Sequence, residues 1–221
     1  GSISYGVANV TIPKIHQKGK LEDRGVFEFK HDPAKHVILK NLSLKTSEEF
    51  FAELGEMFKK REELFPESQQ AKELFVYVHG FNVDFSYAMR KTAQMMHDMD
   101  YPGLSVAFSW PARAVSVPLP RDFREDVVRA ENSIAMLELF LKQIIEKYPD
   151  RKIHVIAHSL GTRVLSNVIM NLAKTLSPAR AGEAAKKLFG EVILAAPAID
   201  AQTFVNNWAS QITPHCDRIS I

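Results

Sequence analysis

From residue 74 onward, short apolar runs alternate along the chain with longer stretches of helical periodicity. Because the runs are short and rich in β-branched and aromatic residues, they are typical of buried strands. Strands are predicted at Leu74–Val78, Leu104–Phe108, Ile153–Ala157, Val192–Ala196 and Arg218–Ile221. Helices are predicted at Phe85–Met99, Arg124–Tyr148, Thr162–Lys174, Arg180–Leu188 and Phe204–Ile212. The alternation predicts the α/β class, with a doubly wound, mostly parallel sheet and helices on both faces, since parallel strands need crossover connections.

The N-terminal part of the chain has a different pattern. Val26–Lys30 and Val37–Leu42 alternate polar and apolar residues on either side of a turn-forming His31-Asp32-Pro33, which predicts an antiparallel hairpin. Thr46 and Glu49 have the spacing of a capping box, so a helix is expected to begin there.

Composition limits the function classes. With 28 Lys+Arg against 26 Asp+Glu and no basic cluster, the chain lacks the concentrated positive face that nucleic-acid binding requires. Cys216 is the single cysteine, which excludes an intrachain disulfide and a multi-cysteine metal site. No apolar run is long enough to span a membrane, and no motif implies a metal or a cofactor. No linker-like segment divides the sequence, so residues 1–221 are expected to form a single domain.

One strand-to-helix junction carries a candidate nucleophile. Ala157-His158-Ser159-Leu160-Gly161 ends an apolar run and precedes a predicted helix. A serine at such a junction lies on a tight, strained turn that raises its hydroxyl above the sheet edge. The residues two positions before and after it must be small, and Ala157 and Gly161 meet this need. The N-terminus of the helix favours negative charge there, so Ser159 is the candidate nucleophile.

A second motif follows the first of the apolar runs. His79-Gly80-Phe81-Asn82 comes directly after Leu74–Val78, and the small Gly80 lets the backbone approach a substrate. The N–H of Phe81 would face that of Leu160 across an attacked carbonyl, so these two groups are the candidate oxyanion hole. The residues expected to support this site are His79, Gly80, His158 and Gly161.

Together these segments resemble the bacterial α/β hydrolases of unknown function, the DUF900 type. The motifs that carry the resemblance are Ser4-Tyr5-Gly6, Val10-Thr11-Ile12-Pro13, Tyr77–Asn82, Ser109-Trp110-Pro111, Arg129–Ser133, Ile156–Gly161 and Leu194-Ala195-Ala196-Pro197. The resemblance implies the α/β-hydrolase fold and a serine hydrolase of esterase or lipase type, with Ser159 as its nucleophile. It implies a small-molecule ester or acyl substrate and no cofactor.

The chain departs from the family pattern after the strand Val192–Ala196. The family usually has Asp-x-Asp there, whereas this chain has Ala198-Ile199-Asp200. Asp200 is a candidate catalytic acid, and it is also a candidate N-cap for the helix that follows.

The histidine of the triad is a second departure. The order in this fold is Ser, then Asp or Glu, then His, so the resemblance implies an acid and a histidine after residue 221. His215 is the only histidine after Ser159, and it is expected at the far end of the last strand. We therefore expect that the domain lacks its C-terminal strand and helix. The start at Gly1-Ser2 likewise predicts residues removed upstream, which leaves the compartment open.

Two functions stay open on the sequence alone. The leading one is hydrolysis of carboxylic esters through an acyl-enzyme on Ser159, and thioesters or amides would use the same residues. The alternative is a catalytically disabled binding or interaction module, or an inactive fragment, which the absent histidine and Ala198 favour. The loop Ala112–Asp122 is expected to roof the site and to shape an apolar acyl pocket.

Overall fold

The computed structural model describes residues 2–24, 30–176 and 187–221. These residues divide into two compact units. The first, which we call the sheet unit, comprises Glu73–Asp84 and Phe108–Ile221. The second, which we call the hairpin unit, comprises Ser2–Lys72 and Phe85–Ala107. The expectation of a single domain over residues 1–221 stays a prediction.

Strands and helices alternate through most of the chain, as the apolar periodicity predicts. In chain order they are β1 (Tyr5–Thr11), β2 (Ile38–Lys45), α1 (Ser47–Leu64), β3 (Glu73–Val78), α2 (Phe85–Asp98), β4 (Leu104–Phe108), α3 (Pro120–Asn132), α4 (Ile134–Lys147), β5 (Lys152–His158), α5 (Gly161–Leu176), β6 (Phe189–Ala195) and β7 (Cys216–Ser220). A 3₁₀ turn at Gln69–Lys72 precedes β3. Three consecutive helical segments, Ala201–Thr203, Phe204–Trp208 and Ala209–Ile212, and a 3₁₀ turn at Thr213–His215 precede β7.

The antiparallel pair of the hairpin unit is formed by β1 and β2. Tyr5 lies opposite Lys45 at one end and Thr11 lies opposite Ile38 at the other. An N-terminal antiparallel pair is therefore confirmed, and the partner of β2 is β1. Residues 26–29 of the predicted strand Val26–Lys30 lie outside the described residues.

Helix α1 begins where its capping box predicts. The Thr46 hydroxyl accepts from the Glu49 N–H at 3.2 Å, and the Glu49 carboxylate accepts from the Thr46 N–H at 2.9 Å. Both bonds satisfy N–H groups that a helix start leaves without intrahelical partners. The helix packs on β1 and β2 and buries Phe51, Leu54 and Phe58.

The larger sheet of the protein has five strands. Four of them lie in the sheet unit in the order β3-β5-β6-β7, and each neighbouring pair is parallel. With the flanking helices, this confirms the mostly parallel α/β architecture. Val78 pairs with Ala157, and His158 pairs with Ala195. The segments that follow β3, β5 and β6 therefore leave the sheet at the same edge.

The prediction of one long helix over Arg124–Tyr148 is wrong in two respects. It begins earlier, at Pro120, where proline suits the first helical turn. It is also interrupted at Ser133, which separates α3 from α4. The Ser133 hydroxyl donates to the Arg129 carbonyl at 2.8 Å, and such a bond to the preceding turn bends a helix.

Toward the C-terminus, one prediction is not tested and two differ slightly from the structure. The helix predicted at Arg180–Leu188 falls mostly on residues 177–186, which lie outside the described residues. The segment predicted as one helix over Phe204–Ile212 begins at Ala201 and contains a π-helical turn at Phe204–Trp208. Strand β7 begins at Cys216 rather than at Arg218, because Cys216 already pairs with Phe189 of β6.

Helix α5 provides much of the core of the sheet unit. It packs against α4 and against β3 and β5, and most of its side chains are buried. Helix α5 begins at Gly161, two residues after Ser159. The packing of α5 therefore also fixes the strand-to-helix junction at Ser159. Among the described residues, no helix is both long enough and apolar enough to cross a membrane.

Candidate active site

Ser159 lies on a strained turn between β5 and α5. Its φ of +49° is in the left-handed region, which a residue other than glycine rarely adopts and which costs about 1–3 kcal/mol. The Ser159 N–H donates to the Ala195 carbonyl of β6 at 2.9 Å. Its own carbonyl accepts from the N–H of Thr162 at 3.0 Å and from the Thr162 hydroxyl at 2.6 Å. These bonds on both sides hold the backbone in a conformation that it would not adopt alone.

Two glycines let the backbone close around this turn. A Cβ atom on Gly161 would lie 2.7 Å from the Val78 carbonyl oxygen, a separation that real Cβ atoms do not show. A Cβ atom on Gly80 would lie 2.9 Å from the Cβ atom of Ser159 and 3.0 Å from Nδ1 of His158. The predicted residues Gly80, His158, Ser159 and Gly161 are thus brought together in the structure.

His79 is the buried centre of the loop after β3. Its Nδ1 lies 2.9 Å from the Gly80 carbonyl oxygen and its Nε2 lies 3.0 Å from the Trp110 carbonyl oxygen. The Trp110 indole N–H donates back to the His79 carbonyl at 2.8 Å, and the two rings stack with centroids 4.9 Å apart. Burial lowers the pKa of His79, although its hydrogen bonds act in the opposite direction. The ring is therefore neutral near pH 7, and its single N–H donates to only one of these two carbonyl oxygens. The Ser109 hydroxyl lies 3.2 Å from Nε2 and gives the ring a further partner in the segment after β4.

Two peptide N–H groups belong to residues next in the chain to Ser159 and Gly80. Leu160 follows Ser159, and Phe81 follows Gly80, whose Cα approaches the Ser159 side chain. Within the part of the chain that the structure describes, neither N–H has a hydrogen-bond acceptor. Helix α5 begins at the next residue, Gly161, and the positive end of its dipole is therefore directed toward the same place.

The segment after β4 is held by Asn82, the last residue of the motif His79–Asn82, and by Asp126, which motif analysis does not identify. The Asn82 side chain accepts from the Val115 N–H at 2.8 Å and donates to the Val115 carbonyl at 3.2 Å. The fully buried carboxylate of Asp126 accepts from the Arg113 N–H with both oxygens, at 3.0 and 3.1 Å. Periodicity gives no signal for this anchor, because the buried face of α3 holds Asp122 and Asp126 together with Ala130.

The segment after β6 borders Ser159 on another side. Ala196 has a φ of +45°, and the Ala198 N–H donates to the Ser159 carbonyl at 3.3 Å. Asp200 follows as the N-cap of Ala201–Thr203 and accepts from the Thr203 N–H at 2.8 Å. That hydrogen bond lowers the pKa of Asp200, so its carboxylate is ionised at neutral pH.

Two further histidines of the sheet unit lie away from the turn at Ser159 in the chain. His154 is occupied at both ring nitrogens, by the Glu73 carboxylate at 3.1 Å and by the Glu191 N–H at 2.9 Å. His215 lies in the 3₁₀ turn before β7, where burial lowers the pKa of its ring. In the described ranges, no three His, Cys, Asp or Glu side chains are grouped so as to hold a metal ion.

The geometry agrees with a comparison to known families. A family described as "Alpha/beta hydrolase of unknown function (DUF900)" matches residues 57–221, which is more than half of the chain. The match includes every residue of the site described above. A search of the curated proteins finds no match.

Proposed function

Since the chain belongs to the α/β hydrolases of unknown function, we propose that it is a serine hydrolase that cleaves carboxylic esters through an acyl-enzyme on Ser159. The observation that carries this proposal is the Ser159 backbone, which is held at φ +49° at the edge of the parallel sheet. Strain of this kind persists only where surrounding contacts enforce it, and it is concentrated at functional sites. A serine that merely joined β5 to α5 would not require it.

In the proposed reaction, Ser159 Oγ attacks the ester carbonyl carbon and transfers its proton to a general base. The tetrahedral intermediate then breaks its bond to the alcohol oxygen, and the same base returns the proton to the leaving alcohol. Water attacks the acyl-enzyme in the same way, releases the carboxylic acid and restores the Ser159 hydroxyl.

The N–H groups of Phe81 and Leu160 are the proposed oxyanion hole. They belong to the residues that follow Gly80 and Ser159 and have no acceptor among the described residues, so they can donate to an oxygen that becomes negative during attack. The N-terminus of α5 adds a favourable potential for the same charge. The His79 ring nitrogens lie beside the carbonyl oxygens of Gly80 and Trp110. We propose that these contacts hold the Phe81 N–H in place.

The general base is proposed to be a histidine other than His79 and His154. Both nitrogens of each of these rings already have hydrogen-bond partners. A base must exchange a proton with the reacting hydroxyl, and a ring fixed in this way on both sides cannot turn to do so.

Asp200 is the proposed acid that orients the base, in addition to its observed role as a helix cap. Asp200→Asn separates the two roles, because an asparagine side chain also caps a helix but carries no charge. If Asp200 is the acid, the change lowers the rate of acylation by about 10⁴-fold with little change in stability. A loss of less than tenfold would leave Asp200 with the capping role alone.

The first test of the proposal is covalent labelling. The full chain is treated with an alkyl fluorophosphonate, which reacts with activated serines, and its intact mass is measured before and after. We expect one adduct on the protein and none on the Ser159→Ala variant. Absence of an adduct on the folded protein would overturn the proposal and favour a binding module that retains the fold.

A second measurement defines the bond that is cleaved. The aryl ester, aryl thioester and anilide of acetic acid can carry the same aromatic ring. They then differ only in the atom (oxygen, sulfur or nitrogen) that joins the ring to the acyl group. We expect the highest kcat/KM for the ester. A higher value for the thioester or the anilide would move the activity to another class of acyl transfer on the same serine.

A further inference from the structure

Three apolar side chains are exposed together where α3 begins. Val117, Leu119 and Phe123 have exposed fractions of 77%, 45% and 40%. Single apolar residues on a surface need no explanation, but a group of them indicates a surface that contacts something apolar. We call these three residues the α3 patch.

The α3 patch contacts the loop after β3, which packs on the turn that carries Ser159. The rings of Phe81 and Phe123 are in contact edge to face, with centroids 5.3 Å apart and an interplanar angle of 77°. Phe81 follows Gly80, whose Cα approaches the Ser159 side chain closely. The residue that follows Gly80 in the chain therefore contacts the exposed apolar surface through its ring.

The segment that exposes the patch is fixed by buried polar contacts. Both oxygens of Asp126 accept from the Arg113 N–H, and the Asn82 side chain bonds both backbone groups of Val115. The Leu119 N–H donates to the Asp122 carboxylate at 2.8 Å. These bonds hold the segment in a conformation that leaves apolar side chains in water, although folding favours their burial.

We propose that the α3 patch, together with the Phe81 ring, binds an apolar acyl chain of medium length in the ester substrate. This inference rests on the proposed function of Ser159. With the ester carbon at Ser159 Oγ and its oxygen at the Phe81 N–H, the acyl substituent extends beside the Phe81 ring toward Phe123. Contact there removes both the chain and the patch from water, which is the source of the preference.

The expected preference for a longer acyl chain depends on how far each methylene is buried against the α3 patch. A methylene that becomes fully buried improves binding about fourfold, and one that lies on an open surface improves it about twofold. A chain with several methylenes on the patch should therefore react at least about tenfold faster than a short chain.

The test compares ethyl and decyl fluorophosphonates on the full chain, both below their micelle-forming concentrations. Second-order labelling rate constants of Ser159 are measured by intact mass. We expect the decyl probe to react at least about tenfold faster than the ethyl probe. Phe123→Ser should remove most of that ratio and change the ethyl rate by less than about twofold, since the ethyl probe does not reach the patch.

Val128→Ser is the matched control. Val128 is an apolar residue on the same helix with an exposed fraction of 55%, but it does not belong to the α3 patch. This variant should keep the wild-type ratio. Equal rates for the two probes on the wild-type protein would overturn the proposal. So would an equal loss of both rates in Phe123→Ser, which would mean that Phe123 supports the Phe81 loop rather than the chain.

Failure of the proposed function gives a different result. If neither probe labels Ser159, calorimetric titration with decanoate decides whether the patch binds an acyl chain. Binding that Phe123→Ser weakens and Val128→Ser does not would support the patch, and no binding would overturn it. The exposed Arg121 and Arg124 flank Phe123, so vesicles of phosphatidylglycerol are also tested. Vesicle binding that depends on Val117 and Leu119 without any probe preference would assign the patch to a lipid surface and overturn the proposal.

Discussion

A Cβ atom on Gly80 would lie 2.9 Å from the Cβ atom of Ser159, so the loop after β3 and the turn after β5 are in contact through a position that admits no side chain. The same atom would lie 2.9 Å from the His158 carbonyl oxygen, which belongs to the backbone and cannot turn away. The close approach of these two loops therefore depends on glycine at position 80.

Gly80→Ala is expected to separate the two loops. Because a displacement of about 1 Å between reacting groups can cost about 100-fold in rate, the labelling of Ser159 by a fluorophosphonate should slow by about that factor. Overpacking should also lower the free energy of unfolding by about 1–3 kcal/mol. Labelling rates and urea unfolding curves measure both effects. A variant that labels at the wild-type rate would show that the contact has no role in activity.

Glycine in place of the strained Ser159 is expected to give a more stable fold than alanine in the same place. Glycine adopts φ +49° without the steric cost that alanine and serine incur there, so Ser159→Gly should be more stable than Ser159→Ala by about 1 kcal/mol. Both variants lack the hydroxyl, and their difference therefore reports the backbone alone. Urea unfolding at one pH gives the comparison. Equal stabilities would mean that the turn relaxes when the hydroxyl is removed.

The anchor of the segment after β4 should be much more important to stability than the neighbouring surface charges. Asp126→Asn removes a buried charge that binds the Arg113 N–H and the Arg129 guanidinium, and we expect a loss of about 3 kcal/mol in the free energy of unfolding. Glu125→Gln is the control, because Glu125 pairs with the same two arginines while largely exposed. Its loss should stay below about 1 kcal/mol. Similar losses in the two variants would contradict the role assigned to Asp126.

In the hairpin unit, His16 lies between two carboxylates. Its Nδ1 is 2.6 Å from Glu22 Oε2, its Nε2 is 2.6 Å from Asp98 Oδ1, and the side chain is only 4% exposed. Only a protonated ring can donate to both. Burial acts to lower the pKa of His16, but the hydrogen bonds and charges of Asp98 and Glu22 outweigh it and raise that pKa above 6.5. Burial likewise acts to raise the pKa values of Glu22 and Asp98, but hydrogen bonds lower both.

The stability that His16 contributes should therefore depend on pH. A raised pKa in the folded state stabilises the fold below pH 6.5, and this contribution is lost as pH rises through the folded pKa. The lowered carboxylate pKa values mean that both anions persist until pH falls below their ordinary range, near 4. His16→Gln should cost about 3 kcal/mol at pH 6 and clearly less at pH 9.

His31→Gln is the control for that measurement. His31 lies 3.7 Å from Asp23, but both side chains are exposed by more than a third. Its replacement should change the free energy of unfolding by less than about 0.5 kcal/mol at either pH. Urea unfolding at pH 6 and pH 9 tests both variants, and an equal cost of His16→Gln at the two values would contradict a charged ring.

Local patterns along the chain were sufficient for much of the architecture. The capping box at Thr46 and Glu49, the β-rich runs and the small residue Gly161 each follow from the chemistry of a few neighbouring residues. The family resemblance is confirmed by the match of the family to residues 57–221, which include the strand-to-helix junction at Ser159.

Other features depend on which distant segments meet. The pairing of β2 with β1 was not indicated by the sequence pattern, since strand pairing depends on contacts that periodicity does not specify. The interruption at Ser133 arises because its hydroxyl bonds the preceding turn instead of solvent. Neither outcome can be predicted from the residue type alone.

The sequence by itself determined the class of fold, the position of Ser159 at a strand-to-helix junction and the need for glycine beside it. These follow from periodicity and steric size, which are local properties. Only the tertiary structure decided that Asp126 and Asn82 fix the segment after β4, and that Phe81 contacts Phe123. Hydrogen bonds and ring contacts of this kind join residues far apart in the chain, and their partners are set by packing rather than by sequence order.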